Sequence, residues 1–142
     1  MLDELKITLF LVDDDLMYLK ALENEFKKNE HFEIHTFTTG EACLQKLSLK
    51  PDIIILDYFL NGDNKEAVDG FNILVKIKQK SPEIHVIMLS SYENVEIAVN
   101  CIKYEAFNFI VKNDTAFIRL KHTIKQIFRL HSKVKELIVW DW

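Results

Sequence analysis

Short runs of mostly apolar residues along the chain alternate with stretches in which apolar residues recur at helical spacing. Five of the short runs are rich in β-branched and aromatic residues and predict strands at about 7–12, 32–37, 53–57, 85–89 and 107–111. The first and third runs contain no polar alternation, which is typical of strands buried on both faces of a parallel sheet. The second run alternates polar and apolar residues, as a strand near a sheet edge does.

The stretches between the strands predict five helices. The first covers about 15–28, the second opens after 38 and runs through 47, the third ends near 80, the fourth spans 95–102 and the fifth begins after 113–115. Capping residues mark two starts: Asp15 can cap the first helix, and Thr38 with Glu41 forms a capping box for the second. The apolar positions of the last three helices are Phe71, Leu74 and Ile77; Val95, Ala98, Val99 and Ile102; and Phe117, Leu120, Ile124 and Ile127.

Strands that alternate with helices predict a parallel sheet with helices on both faces, joined by right-handed crossovers. The 142 residues contain no internal repeat, low-complexity tract or interdomain linker. This length suffices for a buried core without disulfides or a structural metal. The sequence therefore predicts one doubly wound α/β domain.

Composition and charge narrow the function classes. The net charge of −4 and the lack of a basic stripe argue against a nucleic-acid surface, which needs cations to meet the phosphates. The first residues lack a signal-peptide pattern and no apolar stretch reaches membrane-spanning length, so we expect a cytoplasmic protein that does not enter a membrane. Cys43 and Cys101 have no metal-ligand spacing around them and are expected to be reduced and buried.

Polar residues follow four of the five strands at the point where each strand ends. They are Asp13 and Asp14 after the first strand, Asp57 after the third, Ser90 after the fourth and Lys112 after the fifth. Because ligands bind at the carboxyl ends of strands in open parallel sheets, we expect these side chains to share one pocket. Each also has an ordinary explanation, since acids favour helix N-termini and Ser, Asp and Lys are common in turns.

Three carboxylates in one pocket repel each other unless a cation lies among them, and hard oxygen ligands suit a hydrated Mg²⁺. The Lys112 ammonium and the Ser90 hydroxyl would then contact an anion. This combination predicts a site for a phosphoryl group, with Asp57 as the nucleophile. Mg²⁺ and Lys112 would neutralise charge on the phosphoryl oxygens, and Ser90 would donate a hydrogen bond to one of them.

The same segments resemble the receiver domain of bacterial two-component response regulators. The resemblance rests on five short motifs in order, at 11–15, 54–57, 69–71, 88–91 and 109–112. It implies a flavodoxin-like, three-layer αβα fold with strand order 2-1-3-4-5 over residues 5–130, and a C-terminal helical extension or tail at 131–142. It also implies a signalling switch in which Asp57 accepts a phosphoryl group from a sensor histidine kinase or a phosphotransfer protein. Such a domain is not an enzyme, because it acts only in its own phosphorylation and dephosphorylation.

The resemblance assigns further roles to individual residues. Asp14 would bind Mg²⁺ directly, Asp13 directly or through water, and the backbone carbonyl of Phe59 would add a ligand beside the phosphoacceptor. Ser90 and Phe109 would form the switch, with the Ser90 hydroxyl moving inward and the Phe109 ring turning from an outward to an inward rotamer. The surface of the fourth helix, fifth strand and fifth helix would then change shape, and this surface is the candidate interface for a homodimer.

Two departures from the family pattern lie next to the predicted site. About five extra residues, around 62–67, follow Asp57, and Asn113 stands where the family has a cis-proline after Lys112. A cis bond before a non-proline residue costs about 3 kcal/mol, so we expect a trans peptide there. These departures keep open an alternative, a phosphate-independent pseudo-receiver that acts as a protein-interaction module. A flavin-binding protein of the same fold is disfavoured, because no Ser/Thr/Gly-rich loop follows the first strand.

Apolar residues continue beyond the fifth helix, at Val134 and Ile138, in roughly heptad steps that pass through His131. One interpretation is a single helix that outruns the sheet, and the other is a tail whose apolar residues fold back onto the domain. The segment 137–142 contains two tryptophans, which would invite a partner or a second copy if they were exposed.

Overall fold

The computed structural model describes residues 5–60 and 69–140. Its strands are β1 (Ile7–Val12), β2 (Phe32–Phe37), β3 (Ile53–Asp57), β4 (His85–Ser90) and β5 (Asn108–Val111). Its α-helices are α1 (Leu16–Phe26), α2 (Gly40–Leu44), α3 (Gly70–Lys80), α4 (Val95–Lys103), α5 (Ala116–His131) and α6 (Lys133–Val139). The predicted insertion around 62–67 lies outside the described residues.

The strands form one parallel sheet in the order β2-β1-β3-β4-β5. This order confirms the predicted doubly wound, flavodoxin-like topology. In the central strand β3, Leu56 pairs with Val12 of β1 on one side and with Met88 of β4 on the other. The carboxyl ends of these three strands are therefore level with one another, at the edge where the predicted site residues follow.

Helices cover both faces of the sheet and enclose two apolar cores. One core lies between the sheet and helices α1, α5 and α6, and the other lies between the opposite face and helices α2, α3 and α4. Successive residues of β1 alternate between the two: Leu9 and Leu11 join the first core, whereas Phe10 and Val12 join the second. Because both faces are covered, the strands contain the near-continuous apolar runs seen in the sequence.

Both cysteines are buried within the domain. Cys43 and Cys101 are unpaired thiols, as predicted, and burial raises their pKa values to about 12 and about 11. Within the described ranges, no helix has the length and apolar character needed to cross a membrane.

The second helix begins one residue later than the pattern predicts. Thr39, not Thr38, is its N-cap, because the Thr39 hydroxyl accepts a hydrogen bond from the backbone N–H of Ala42 at 3.1 Å. The predicted capping box of Thr38 with Glu41 is therefore wrong, since two adjacent threonines offer two registers. A 3₁₀ turn (Leu47–Leu49) replaces the predicted continuation of this helix and leads towards β3.

The chain folds back after α5 instead of continuing as one long helix. Ser132 has an extended backbone (φ −156°, ψ 101°), and its hydroxyl accepts a hydrogen bond from the N–H of Lys135 at 3.2 Å. Ser132 therefore ends α5 and caps α6. Val139 of α6 is fully buried, and Ile138 packs against the same core as α1 and α5. The described residues form six α-helices instead of the predicted five, and the folded-back tail is the alternative that the structure shows.

Helix α6 lies at the amino-terminal edge of the sheet, opposite the predicted site. The Lys135 ammonium forms an ion pair with Asp52, the residue before β3. The Asp52 carboxylate also accepts a hydrogen bond from the backbone N–H of Thr8 in β1, at 2.8 Å. The side-chain amide of Asn29, near the start of β2, donates to the carbonyl of Ile138 at 3.2 Å. These contacts join α6 to the beginnings of three strands.

Candidate functional site

Two acids are held at the end of β1. The backbone N–H of Asp13 donates to the carbonyl of Phe37 at 3.0 Å, which extends the pairing with β2. The Asp13 carboxylate accepts a hydrogen bond from the N–H of Asp15 at 2.9 Å, and Asp15 in turn caps α1, as predicted. These hydrogen bonds fix Asp13, which is fully buried, while the neighbouring Asp14 is partly exposed.

Asp57 is the last residue of β3 and is only 2% exposed. It pairs with Leu89 of β4, and the N–H of Tyr58 donates to the Leu89 carbonyl at 2.8 Å. Gly70 begins α3 directly against this strand end, where its N–H donates to the Tyr58 carbonyl at 2.8 Å. A Cβ atom on Gly70 would lie 2.1 Å from the backbone oxygen of Asp57, so only glycine allows this approach. The start of α3 therefore fixes the backbone of Asp57.

Asp13, Asp14 and Asp57 form one cluster. Each offers a carboxylate oxygen, and the three oxygens lie within 4.8 Å of one another. Asp13 Oδ2 and Asp57 Oδ1 are buried, and the Lys112 ammonium described below is the ion-pair partner of both. Hard oxygens with unused lone pairs are the ligands that a hydrated Mg²⁺ takes. The donor set therefore fits a divalent cation.

The Lys112 ammonium reaches this cluster from the end of β5. Its Nζ lies 2.8 Å from Asp13 Oδ2 and 3.3 Å from Asp57 Oδ1. Burial lowers the pKa of Lys112, but the hydrogen bonds and charges of the two acids outweigh burial and raise this pKa above its ordinary value. Lys112 is therefore a cation at neutral pH. Its peptide bond to Asn113 is trans, as expected, and the trans bond does not prevent the contact.

The surroundings of Asp57 raise the pKa of its carboxyl to about 7. Burial is the largest cause and the charge of Asp13 adds to it, whereas Lys112 and the backbone N–H of Phe59 act in the opposite direction. Near neutral pH the group therefore exchanges between its protonated and charged forms. A cation held by the cluster would favour the charged form, because opposite charges attract strongly where water is excluded.

Ser90 is buried at the end of β4, and its hydroxyl takes part in a local turn. The hydroxyl donates to the carbonyl of Tyr92 at 3.0 Å and accepts a hydrogen bond from the N–H of Tyr92 at 3.2 Å. The backbone carbonyl of Ser90 accepts a hydrogen bond from the N–H of Lys112 at 2.7 Å. This last bond ties β4 to the residue that supplies the ammonium.

Phe109 lies on β5 beneath α4 and packs partly against the core on that face. Together with Asn108, Ala98, Val99 and Ile102 it lines a groove of about 330 Å³. Val99 and Ile102 are 59% and 48% exposed. The apolar positions that predict α4 therefore face solvent to a large extent, while the buried residue of this helix is Cys101.

Tyr18, in the first turn of α1, is a site residue that sequence reasoning missed. Its ring centroid lies 4.4 Å from Lys112 Nζ, and its hydroxyl oxygen is buried without a hydrogen-bond partner in the described part of the chain. Burial, followed by the charges of Asp13 and Asp57, raises the pKa of this phenol to about 12, so it is neutral. The sequence indicates only that Tyr18 lies on the buried face of the helix, because it precedes the core residue Leu22 by four positions.

The profile of the response regulator receiver domain matches residues 9–125. The chain belongs to this family. The match extends from β1 into α5 and confirms the resemblance carried by the five sequence motifs. The receiver is thus a signalling domain of the kind found in two-component response regulators.

Curated relatives of this receiver are longer proteins. The nitrogen assimilation regulatory protein NtrX of Azorhizobium caulinodans is 30% identical over 130 residues, which are 89% of this chain and 28% of NtrX. The regulatory protein LuxO of Vibrio cholerae is 25% identical over 86% of this chain and 26% of its own length. A cyclic di-GMP phosphodiesterase of Thermotoga maritima is 29% identical over 82% of this chain and 30% of its own length. The chain therefore spans less than a third of these relatives.

Solved structures of receiver domains share the fold. The signal receiver domain of a putative LuxO repressor from Vibrio parahaemolyticus is 27% identical and superposes with a TM-score of 0.78, covering 94% of this chain and 98% of that domain. The receiver domain of NtrX from Brucella abortus is 28% identical, with a TM-score of 0.74 over 85% of this chain and 98% of that domain. The CheX–CheY–BeF3–Mg²⁺ complex from Borrelia burgdorferi contains a chain that is 26% identical, with a TM-score of 0.75 over 87% of this chain and 90% of the matched one.

Proposed function

We propose that this receiver is a phosphorylation-dependent switch that accepts a phosphoryl group on Asp57 with Mg²⁺ bound beside it. The arrangement at the sheet edge carries the proposal: the Asp57 carboxylate lies 3.3 Å from the Lys112 ammonium and clusters with oxygens of Asp13 and Asp14. A buried carboxylate between an ammonium and a cation site is suited to hold a transferring phosphoryl group. The donor would be a phosphohistidine on a sensor histidine kinase or a phosphotransfer protein.

In the transfer, an oxygen of the ionised Asp57 carboxylate attacks the phosphorus atom, and the bond from phosphorus to the donor nitrogen breaks. The donor imidazole leaves with the bonding electron pair and is protonated by solvent. Lys112 neutralises charge on the phosphoryl oxygens, and Ser90 donates a hydrogen bond to one of them once its hydroxyl leaves Tyr92. Hydrolysis by water releases inorganic phosphate and restores Asp57.

Mg²⁺, when bound, would stabilise the charge that develops on the phosphoryl oxygens. Asp13, Asp14 and Asp57 would hold it through side-chain oxygens, and the backbone carbonyl of Phe59 would be a further protein ligand. Three clustered carboxylates face one ammonium, and this excess of negative charge supports a cation at this position. The complex from Borrelia burgdorferi, which contains Mg²⁺, supports the choice of ion.

Ser90 and Phe109 would transmit the phosphorylation of Asp57 to the surface of the domain. A Ser90 hydroxyl that turns towards the phosphoryl group gives up both contacts with Tyr92 and frees the turn between β4 and α4. The groove beside Phe109 gives its ring room to change rotamer. The surface of α4, β5 and α5 would change as a result, and its exposed apolar residues, such as Val99, suit it to a second copy or another partner.

The proposal also covers the bounds of the receiver unit, its chemistry and its location in the cell. Residues 5–130 would form the receiver unit, and residues 131–142 would be an extension of it. The domain would turn over no free substrate, because its chemistry is confined to its own carboxylate, and it would act in the cytoplasm. The fold and the family match support a signalling role of this kind.

Incubation of the full chain with Mg²⁺ and acetyl phosphate tests the proposal directly. The wild type should acquire an acid-stable, hydroxylamine-labile phosphate, as an acyl phosphate does, and Asp57→Asn should acquire none. Asp52→Asn is a matched control, because Asp52 flanks the other end of the same strand. This control should be phosphorylated like the wild type.

A different result would favour the alternative function. If the wild type incorporates no phosphate and titration calorimetry detects no Mg²⁺ binding, the phosphorylation proposal is wrong. The phosphate-independent pseudo-receiver, a protein-interaction module, would then be the better description of this chain.

A further inference from the structure

Tyr18 is the one aromatic residue placed against the Lys112 ammonium among the described contacts. Lys112 Nζ lies 4.4 Å from the centroid of the Tyr18 ring, a distance at which a cation is attracted to the ring face. The Lys112 side chain is only 11% exposed. Such contacts are strongest where water is excluded, so this one should contribute more than a surface pair.

The two acids do not share the Lys112 ammonium equally. Its Nζ is 2.8 Å from Asp13 but 3.3 Å from Asp57, so the shorter ion pair is not the one with the proposed phosphoacceptor. A lysine side chain has several rotatable bonds and no preferred direction of hydrogen bonding. The Tyr18 ring therefore restricts the positions that the ammonium can occupy.

The ring itself is held in place from α5. Phe117 packs edge-on against it, with centroids 6.0 Å apart and planes at 68°. Tyr18 also belongs to the helix that Asp15 caps, directly after the acids of β1. The ring is therefore fixed relative to the acid cluster and to the start of α5.

The Tyr18 hydroxyl does not explain why a tyrosine is present. Its oxygen is buried without a hydrogen-bond partner among the described residues, which destabilises the fold. The ring face, by contrast, has a defined contact. A function of this residue should therefore survive replacement by phenylalanine and fail on replacement by leucine.

We propose that Tyr18 is a positioning residue, whose ring holds the Lys112 ammonium in reach of the phosphoryl group on Asp57. The proposal rests on the phosphoacceptor function proposed above for Asp57. It adds a residue on α1 to the set that determines the rate of phosphorylation, acting through Lys112 and not by touching the reacting atoms.

The first experiment compares initial rates of phosphorylation by acetyl phosphate at saturating Mg²⁺. Tyr18→Phe should react within about twofold of the wild type, and Tyr18→Leu should react about tenfold more slowly. Phe26→Leu is the matched control, because Phe26 is a buried aromatic residue on the same helix, and its rate should not change. In a Lys112→Ala background, Tyr18→Leu should cause no further loss, since its effect passes through the ammonium.

The second experiment needs no phosphorylation and therefore separates this proposal from the function on which it rests. The Cε protons of Lys112, assigned with Lys112→Arg, should show an upfield ring-current shift in the wild type and in Tyr18→Phe. The shift should disappear in Tyr18→Leu. If the wild type is not phosphorylated but the shift is present, the phosphoacceptor function fails while the contact stands.

Three outcomes would overturn the positioning role. The first is a Tyr18→Phe rate as low as that of Tyr18→Leu, which would assign the effect to the hydroxyl. The second is a Tyr18→Leu rate equal to that of the wild type. The third is an additive loss in the Lys112→Ala background, which would mean that Tyr18 acts by another route.

Discussion

At the scale of single residues, the site combines requirements that oppose each other. Asp57 must be charged to act as the proposed nucleophile, yet burial and the neighbouring charge of Asp13 raise its pKa to about 7. The Lys112 ammonium offsets only part of this, and it lies closer to Asp13 than to Asp57. The charged acid cluster should therefore reduce the stability of the protein in the absence of a divalent cation.

This cost predicts how Asp57→Asn changes stability with pH. The folded-state pKa is raised from 3.8 to about 7, so the native state binds the extra proton between these values and the free energy of unfolding falls as pH rises through that window. Asp57→Asn has no carboxyl at this position, so its free energy of unfolding does not fall for this reason. Without divalent ions, it should be about as stable as the wild type near pH 4 and more stable by about 2–4 kcal/mol near pH 8. Urea denaturation with a chelator present measures the difference.

Asp114→Asn serves as the control for this measurement, because Asp114 is exposed in the segment that follows Lys112. Its stability relative to the wild type should not change with pH over the same range. A pH-independent difference between Asp57→Asn and the wild type would contradict the electrostatic explanation.

At the scale of elements, the junction of β3 and α3 determines where Asp57, the proposed phosphoacceptor, lies. Gly70 starts α3 in contact with the backbone of Asp57 and Tyr58, and a Cβ there would meet main-chain atoms at 2.1 and 2.7 Å. Gly40, at the start of α2, is also crowded, but a Cβ there would meet the side chain of Ile73 at 2.3 Å. A side chain can rotate away, whereas the end of a central strand cannot.

The pair Gly70→Ala and Gly40→Ala should therefore separate stability from function. We expect Gly70→Ala to lose about 3 kcal/mol of stability, because the backbone must shift, and to be phosphorylated more slowly because Asp57 moves with it. Gly40→Ala should lose stability but keep its rate of phosphorylation once folded. Equal rates for the two folded variants would show that the start of α3 does not control the position of Asp57.

The elements themselves were largely predictable, and their ends were less so. The predicted bounds of all five strands agree with the structure to within one residue. For the central strands the reason is burial on both faces, which requires a continuous apolar run. Helix ends depend on single hydrogen bonds, and Thr38 and Thr39 are equivalent until one of them bonds to Ala42. The apolar spacing continues past Ser132 and so favoured one long helix. The break depends on the Ser132 side chain, which caps α6, and an apolar pattern contains no information about such a cap.

At the scale of the whole molecule, the two edges of the sheet have different characters. The carboxyl edge holds the acids and Lys112, whereas α6 covers the amino edge. There the rings of His85, at the start of β4, and His131, at the end of α5, lie with centroids 4.4 Å apart. Burial lowers the pKa of His85 to about 4, and the nearby charges of His131 and Lys78 add to this, while Asp52 acts in the opposite direction.

The lowered pKa of His85 predicts a loss of stability in mild acid. The unfolded state binds the proton near pH 6.5 and the folded state only near 4, so the contribution of neutral His85 is lost as pH falls through that window. Because His85 is partly exposed and solvent screens its charge, we expect a difference of about 1 kcal/mol between pH 7 and pH 5 relative to His85→Gln. His122→Gln, on the exposed face of α5, is the control and should follow the wild type.

Much of the site could be predicted, because topology alone collects the residues that follow parallel strands. Asp13, Asp14, Asp57 and Lys112 lie together for this reason. Tyr18 was not predicted, since an aromatic residue on the buried face of a helix has no distinguishing pattern and its contact with the lysine depends on tertiary packing. The engagement of Ser90 with Tyr92 likewise follows from local turn geometry that no spacing rule contains.

The docking of α6 also determines what an optical experiment on this protein reports. Trp140, the C-cap of α6, comes directly after the buried Val139. Emission from Trp140, which is 63% exposed, will therefore report on the end of this short helix, whereas circular dichroism in the far ultraviolet will follow the melting of the sheet and the larger helices. A fluorescence midpoint lower than the dichroism midpoint would mean that the contacts around Ser132 and Lys135 break before the sheet melts.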